Sequence, residues 1–299
     1  MDAHLYASAL PVDRWSRRLR RALDAPAHWE VLDRPAGKVA DAVEALPLGP
    51  YRDALHGAWL GHPLHPVLVQ VPIGCWTSAG LLDFLPGAHR SADAMVAVGL
   101  LGAAPAALSG WVDWARLDPP RRRTGLVHAL ANTAGVLLYG GSLLARCRGR
   151  RARARLLGLA GLTAVSVGGT LGGHLAYAQA AGPNRAAAVP RLAPADWVDL
   201  GPVDDFPPGE PVRRTAGDLP VVVVHEGERY HVLAERCSHL SGPLAEGTVT
   251  DGCLRCPWHG SEFRLRDGEV ASGPATSPQP VLETRVLSGH LEVRLPGAG

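Results

Sequence analysis

Four long apolar stretches in the first two thirds of this 299-residue chain limit what it can fold into. They cover about residues 66–85, 94–112, 126–145 and 156–178, and each contains 19 to 23 residues. A helix of about 20 apolar residues crosses the hydrocarbon core of a bilayer. The last three stretches contain no Asp, Glu, Lys or Arg, and Arg-rich connectors separate them. The sequence therefore predicts an α-helical transmembrane four-helix bundle, over residues 61–181.

Glycines in the fourth stretch repeat at a spacing of four residues, as Gly168 and Gly172 and as Gly169 and Gly173. Small residues at this spacing let neighbouring membrane helices approach closely. We expect them to hold the bundle together.

Residues 1–60 precede the bundle and carry many arginines. Apolar residues share one helical face there, with arginines around them: Val12, Trp15, Leu19, Ala22 and Leu23. A basic amphipathic helix of this kind lies on a membrane surface, although a solvated arginine-rich arm fits the same pattern. No apolar core follows the basic residues, so we predict no cleavable signal peptide.

Four histidines form a candidate second site in the membrane region: His62, His65, His128 and His174. An even number of spans would place all four at the end of the bundle that faces the C-terminal domain. Ionisable groups within a span are costly, and by default they indicate a functional site. The options are haem b ligated by His128 and His174, a quinone site, or a metal site. The alternative is that the histidines only cap or hydrogen-bond to helices.

The C-terminal third differs in character from the membrane region. Residues 182–195 are rich in proline and predict an extended linker. Short runs of β-branched or alternating residues then follow, bounded by Gly, Pro and Asp: 221–224, 230–233, 282–286 and 291–295. Such runs predict an all-β domain over residues 196–299.

Two short segments in this domain pair a thiol with an imidazole. Cys237 and His239 form the first pair, and Cys256 and His259 form the second. This is the ligand pattern of a Rieske [2Fe-2S] centre, in which two cysteines hold one iron and two histidines hold the other. The segments 237–244 and 256–263 resemble the Rieske family closely. A tetrahedral zinc site that uses Cys253 is the alternative, but it leaves one of the paired ligands without a role.

Residues beside the ligands distinguish subtypes of the family that the chain resembles. Gly242 and Trp258 stand where respiratory members carry a pair of disulfide-bonded cysteines. Ser261 matches the serine that donates a hydrogen bond to a cluster sulfide, whereas Phe263 replaces a hydrogen-bonding tyrosine. Fewer donors lower the reduction potential. The resemblance therefore implies a ferredoxin-like subtype with a potential below that of the respiratory proteins.

The membrane region also resembles a known family. The run GHPLHP at residues 61–66, together with the segments 111–114, 128–132 and 172–177, is similar to an uncharacterised group of bacterial four-helix membrane domains. Some members of that group are fused to a Rieske domain. The resemblance supports the architecture and names no substrate.

These features predict a multi-pass cell-membrane protein that transfers one electron at a time, with membrane lipid and unknown redox donor and acceptor proteins as partners. The alternative is a redox sensor or a membrane tether for a partner oxidoreductase. A net charge of +2 predicts no nucleic-acid binding. We expect an electron-transfer component without catalytic residues of its own. The Rieske domain should lie on the same side as the N-terminus, which we predict to be cytoplasmic.

Overall fold

The computed structural model describes residues 12–297. The chain forms two compact units. The first, here called the helical unit, contains the described residues up to 45 together with 68–105 and 117–181. The second, the sheet unit, contains residues 46–67, 106–116 and 182–299, of which 298 and 299 are outside the description. The segment 46–67, which extends into the membrane region, and the segment 106–116 within that region thus belong to the same compact unit as the C-terminal domain.

Helices occupy most of the chain before residue 195. Their bounds are α1 Val12–Asp24, α2 Asp33–Glu44, α3 Tyr51–His56, α4 His65–Leu68, α5 Gln70–Leu82, α6 His89–Trp114, α7 Pro119–Cys147, α8 Arg151–Gly173 and α9 Val189–Leu192. A π-helical turn, His174–Ala178, continues α8. The helix α1 agrees with the predicted amphipathic segment, and its Trp15 side chain is exposed.

Three of these helices have the length and hydropathy to cross a membrane: His89–Trp114, Pro119–Cys147 and Arg151–Ala178. The stretch 66–85 is instead divided between α4 and the 13-residue α5. At 1.5 Å per residue α5 is about 20 Å long, shorter than a hydrocarbon core of about 30 Å. Pro66 and Pro72 remove two backbone N–H groups from this stretch. The number of spans therefore stays a prediction, as does the topology derived from it.

Aromatic stacking and small residues pack the helical unit. Trp76 of α5 stacks on Tyr139 of α7 with ring centroids 4.3 Å apart. A Cβ atom added to Gly161 of α8 would lie 2.9 Å from the Tyr139 ring, which is too close for any side chain. The glycine allows α8 to approach α7 at this point.

The predicted glycine pairs in α8 behave differently from each other. A Cβ at Gly168 would meet the Asn132 side chain at 2.5 Å, and one at Gly172 would meet the His128 ring at 2.9 Å. Gly169 has no such neighbour within 4 Å. One pair thus forms the predicted helix contact, whereas the other does not.

A buried ion pair joins α7 to the C-terminal end of α5. The guanidinium of Arg146 donates to Asp83 over 2.8 Å and to Asp93 over 3.0 Å. Arg146 and Asp83 are both almost fully buried. Loss of one partner from a buried pair is costly, because the other charge stays in a medium of low dielectric constant.

Within the described residues of the sheet unit, ten strands form two antiparallel sheets. Their bounds are β1 Val198–Pro202, β2 Pro211–Ala216, β3 Leu219–Glu226, β4 Arg229–Ala234, β5 Thr248–Thr250, β6 Cys253–Arg255, β7 Glu262–Arg264, β8 Val270–Ser272, β9 Val281–Leu287 and β10 His290–Arg294. The larger sheet has the order β1-β10-β9-β4-β3-β2, and the smaller one has the order β5-β6-β7-β8. The predicted all-β domain and its four strand runs are confirmed.

Strand β3 separates two apolar cores. Val221 and Val223 contribute to one core, and Val222 and Val224 contribute to the other. Side chains alternate between the faces of a strand, so an uninterrupted valine run indicates a strand that is buried on both sides. The second core contains both candidate cysteine ligands, Cys237 and Cys256.

Residues 182–195 are less extended than their proline content suggests. Ala186 and Val189 are buried in the first core of the sheet unit. The amide of Arg185 also donates to the carbonyl of Ser238 over 2.9 Å. The apolar contacts and this hydrogen bond join part of the segment to the packed domain, and the bounds of the linker stay a prediction.

Candidate metal centre

Two loops carry the four predicted ligands, and the same pair of backbone hydrogen bonds closes each loop. In loop 1, the amide of Cys237 donates to the Gly242 carbonyl over 2.9 Å, and the amide of Ser241 donates to the Cys237 carbonyl over 2.9 Å. Ser241 has a φ of 64°. Loop 1 therefore closes between the cysteine and the residues four and five positions later.

Loop 2 repeats this pattern between strands β6 and β7. The amide of Cys256 donates to the Ser261 carbonyl over 2.8 Å, and the amide of Gly260 donates to the Cys256 carbonyl over 3.1 Å. Gly260 has a φ of 73°, which glycine adopts without steric cost. The two cysteines thus occupy equivalent positions in two similarly folded loops.

The two sulfur atoms lie within hydrogen-bonding reach of each other. The hydrogen bond from the Cys237 thiol lowers the pKa of Cys256 to about 6, against the opposite effect of burial. The amides of Trp258 and His259 lower it further. The same hydrogen bond, and then burial, raise the pKa of Cys237. Two sulfurs this close together are placed to bind the same metal ion, each as a thiolate.

The two histidines form a second pair. Their rings lie edge to face with centroids 5.1 Å apart, and both residues are half-buried. Among residues 12–297, no three His, Cys, Asp or Glu side chains meet around a single metal position. Two thiols and two imidazoles in separate pairs fit a two-iron cluster, which needs two protein ligands on each iron. They do not provide the four convergent ligands of a zinc site.

Gly242 and Trp258 are neighbours across the two loops. A Cβ at Gly242 would lie 2.7 Å from the Cys256 sulfur and 3.3 Å from the Trp258 ring. The close approach of loop 1 to Cys256 therefore requires glycine. The Trp258 side chain is 56% exposed, and it lies beside the contact between Gly242 and Cys256. Gly242 and Trp258 are the two positions at which the disulfide of the respiratory members was predicted to be missing.

Ser261 and Phe263 are completely buried beside the cysteines. The Ser261 hydroxyl oxygen accepts a hydrogen bond from the Ala275 amide over 3.1 Å. That bond orients the side chain and leaves its hydrogen to be donated. Phe263 lies in the core cluster that contains Cys237 and Cys256, and it brings no polar hydrogen there.

Gln279 is a supporting residue that the sequence did not reveal. Its side-chain amide donates to the carbonyls of Ala234 and Arg236, over 2.6 Å and 2.8 Å. Its oxygen accepts from the amide of Ser238 over 2.9 Å. These three bonds fasten loop 1 on both sides of Cys237. Because they depend on tertiary structure, a lone glutamine in a proline-rich run gave no signal.

Gly273 is a second supporting residue that was missed. It has a φ of 91°, and a Cβ there would lie 2.8 Å from the Cα atom of Ser261 and 2.9 Å from the Gly260 carbonyl oxygen. The segment that begins at Gly273 thus packs directly against the backbone of loop 2.

With this geometry established, comparison with known proteins decides the family. A family model for the Rieske [2Fe-2S] domain matches residues 196–285. Over 101 residues the chain is 37% identical to the anthranilate 1,2-dioxygenase ferredoxin subunit of Burkholderia cepacia, covering 34% of this chain and 94% of that protein. The chain belongs to the Rieske [2Fe-2S] family. The Rieske domain carries a [2Fe-2S] cluster and supports electron transfer with redox partner proteins.

Two further relatives of the Rieske domain are also ferredoxins or contain one. Ferredoxin CarAc of Metapseudomonas resinovorans is 32% identical over 99 residues, which is 32% of this chain and 92% of that protein. A solved complex of oxygenase and ferredoxin in carbazole 1,9a-dioxygenase is 31% identical over 33% of this chain and 92% of that chain, with a TM-score of 0.31.

The helical part matches a second family model. Residues 61–184 match DUF2231, described as a predicted membrane protein. The fusion of a Rieske domain with this membrane domain is thereby confirmed.

The candidate histidines of the membrane region have protein contacts. Nδ1 of His128 is 2.7 Å from the Gly168 carbonyl oxygen, and Nε2 of His174 is 2.9 Å from Asp24. Nδ1 of His65 is 2.8 Å from the Ala106 carbonyl oxygen, whereas His62 contacts the carbonyl of Pro63 at 3.0 Å.

The contacts of His62, His65 and His128 agree with the alternative that the histidines hydrogen-bond to neighbouring backbone, whereas His174 contacts the Asp24 carboxylate. The His128 ring lies directly against Gly172 of α8, which leaves no room for a porphyrin between them. Neither haem nor quinone is supported here. In the described part of the chain no three His, Cys, Asp or Glu side chains come together around one metal position, and the four-histidine site stays a prediction.

Proposed function

We propose that this protein is a membrane-anchored Rieske electron carrier that exchanges single electrons with an oxidoreductase partner. In this proposal Cys237 and Cys256 hold one iron, and His239 and His259 hold the other. A [2Fe-2S] cluster at this position takes up and releases one electron at a time. The pairing of two thiols and two imidazoles on similarly closed loops is the observation that carries the proposal.

Three helices support the membrane anchor, since each has sufficient length and hydropathy to span a bilayer. The DUF2231 match to the same region points the same way. The anchor would confine the cluster to the membrane surface, where it meets partners in two dimensions.

The relatives suggest the kind of partner. Both curated relatives named above are ferredoxins, and the first is a subunit of a dioxygenase. We infer that the present chain likewise delivers electrons to a separate oxygenase or related oxidoreductase. No second iron domain is needed in the chain for that role.

A pair of cysteine variants tests the ligand assignment. Cys256→Ser should abolish the visible absorption and the iron content of the detergent-purified protein, because serine is a poor ligand for this iron. Cys253→Ser is the matched control, since Cys253 lies three positions earlier on β6 and is not assigned as a ligand. It should retain two irons and two acid-labile sulfides per chain.

The opposite result would end the ligand assignment. If Cys253→Ser lost the metal and Cys256→Ser kept it, the site would be of another kind. The anchor is tested separately by fractionation: the wild-type protein should remain with membranes after washing with salt and carbonate. Release into the soluble fraction would contradict the membrane assignment.

A further inference from the structure

Two segments that precede the C-terminal domain in sequence form a platform within the sheet unit. They comprise residues 46–67 and 106–116, and we call them the seat. The end of α6 is fixed to the first segment by two hydrogen bonds. His56 Nδ1 lies 2.7 Å from Asp113 Oδ1, and the Ser109 hydroxyl donates to the Leu55 carbonyl over 2.9 Å. His56 and Ser109 are both fully buried, so the seat is an ordered structure.

The seat contacts the segments that surround the cluster ligands. The amide of Gly273 donates to the Asp53 carboxylate over 2.9 Å, and the Ser277 hydroxyl lies 3.4 Å from the Gly61 carbonyl oxygen. Arg116 makes the third contact. Its guanidinium donates to the backbone carbonyl of His259 over 3.0 Å.

The contact of Arg116 differs from the other two because it involves a ligand residue itself. The bond holds a permanent positive charge beside the loop whose imidazole is assigned to an iron. Reduction adds one negative charge to the cluster, and a nearby cation stabilises the reduced form more than the oxidised form. A hydrogen bond to the carbonyl also fixes the orientation of the His259 loop.

We propose that Arg116 is a positioning residue through which the membrane domain raises the reduction potential of the Rieske cluster. This inference rests on the proposed function, since it requires a cluster ligated by His259. It assigns to the DUF2231 region a part in setting the redox chemistry, in addition to membrane attachment.

The test compares three variants of the full-length protein in detergent, with the visible spectrum and a titration followed by electron paramagnetic resonance as readouts. Arg116→Gln removes the charge and should make reduction about tenfold less favourable, a fall of about 59 mV for a one-electron couple. Arg116→Lys keeps the charge, so its equilibrium constant for reduction should stay within about threefold of the wild-type value. Arg229→Gln removes the same charge at the exposed first residue of β4 and should leave the potential unchanged.

Each outcome bears on the proposal. An Arg116→Gln protein with full cluster content and wild-type potential would overturn it. Loss of the cluster in Arg116→Gln with retention in Arg116→Lys would support it, because the conservative change restores the site. Loss of the cluster in both would overturn it, since the charge would then not be the property required. Absence of a cluster from the wild type would instead refute the proposed function.

Discussion

Gln279 offers a direct test of how the Rieske loops are held. In Gln279→Leu the side chain keeps its approximate volume but loses all three hydrogen bonds to loop 1. The Ala234 carbonyl and the Ser238 amide would then be buried with no partner, and the Arg236 carbonyl would be partly buried with none. A buried group without a partner costs about 1 to 3 kcal/mol, so the total cost is about 3 kcal/mol. A typical domain is stable by only about 5 to 15 kcal/mol.

The expected consequence is rapid loss of the cluster. In the wild type loop 1 can open only when these bonds break. In the variant the bonds are already absent, so the loop opens more easily. A difference of about 3 kcal/mol corresponds to a roughly hundredfold faster loss of the cluster, at about 1.4 kcal/mol for each factor of ten. The rate of bleaching of the visible absorption in moderate urea measures it on the full-length protein.

Ser272→Ala provides the matched control. Ser272 donates one hydrogen bond to Glu262 over 2.9 Å within the smaller sheet. This bond does not involve loop 1. It should bleach within a few-fold of the wild type. If Gln279→Leu bleached no faster than this control, the three bonds would not hold the loop, and the reasoning would be wrong.

Three further predictions concern the same unit. Phe263→Tyr should supply the missing donor, and one hydrogen bond of about 1 kcal/mol should raise the potential by about 40 mV in a redox titration; an unchanged potential would contradict this. Gly273→Ala should destabilise the cluster by clashing with loop 2, whereas Gly289→Ala, with a similar positive φ but no neighbour within 4 Å, should show only the backbone strain of about 1 to 2 kcal/mol. Burial lowers the pKa of His231 from 6.5, so the folded state favours the neutral ring and loses stability as the pH falls from 6.5 through the folded pKa. His231→Gln should therefore reduce the difference in urea midpoint between about pH 7.5 and about pH 5.5; an undiminished difference would assign it to another group.

The sequence predicted those features that depend on local chemistry. Cys237, His239, Cys256 and His259 were identifiable because ligand type and spacing are fixed by the metal. The strands were visible because β-branched residues and turn residues alternate along the chain. Buried valines such as those of β3 fit a strand with both faces covered.

The features that were missed depend on contacts between residues distant in sequence. The bonds of Gln279 reach 41 to 45 positions back along the chain, and that of Arg116 reaches 143 positions forward. No local pattern marks either residue. The stretch predicted as the first span is divided between two short helices, because hydropathy alone does not register where prolines interrupt helical hydrogen bonding. The histidines were left open between a cofactor site and contacts to helices, because burial of a polar group has both explanations and only tertiary contacts distinguish them.

The exposed Trp258 predicts where a partner protein approaches the cluster. Its ring lies edge-on to His259 with centroids 6.3 Å apart, and more than half of it faces solvent. Exposed tryptophans at interfaces often contribute about 2 kcal/mol or more to binding, which is a factor of roughly thirty. Trp258→Ala should therefore slow reduction of the cluster by a host-cell extract supplied with NADH at limiting concentration.

A small reductant separates this role from a change in the cluster itself. Dithionite needs no protein interface, so it should reduce Trp258→Ala at the wild-type rate, and the potential should be unchanged. Equal slowing with dithionite and with the extract would show that the indole protects or tunes the cluster and does not bind a partner. Arg116→Gln should give the complementary result, with a changed potential, because its contact is with the ligand loop. Variants of these two side chains thus separate binding of the redox partner from the reduction potential of the cluster.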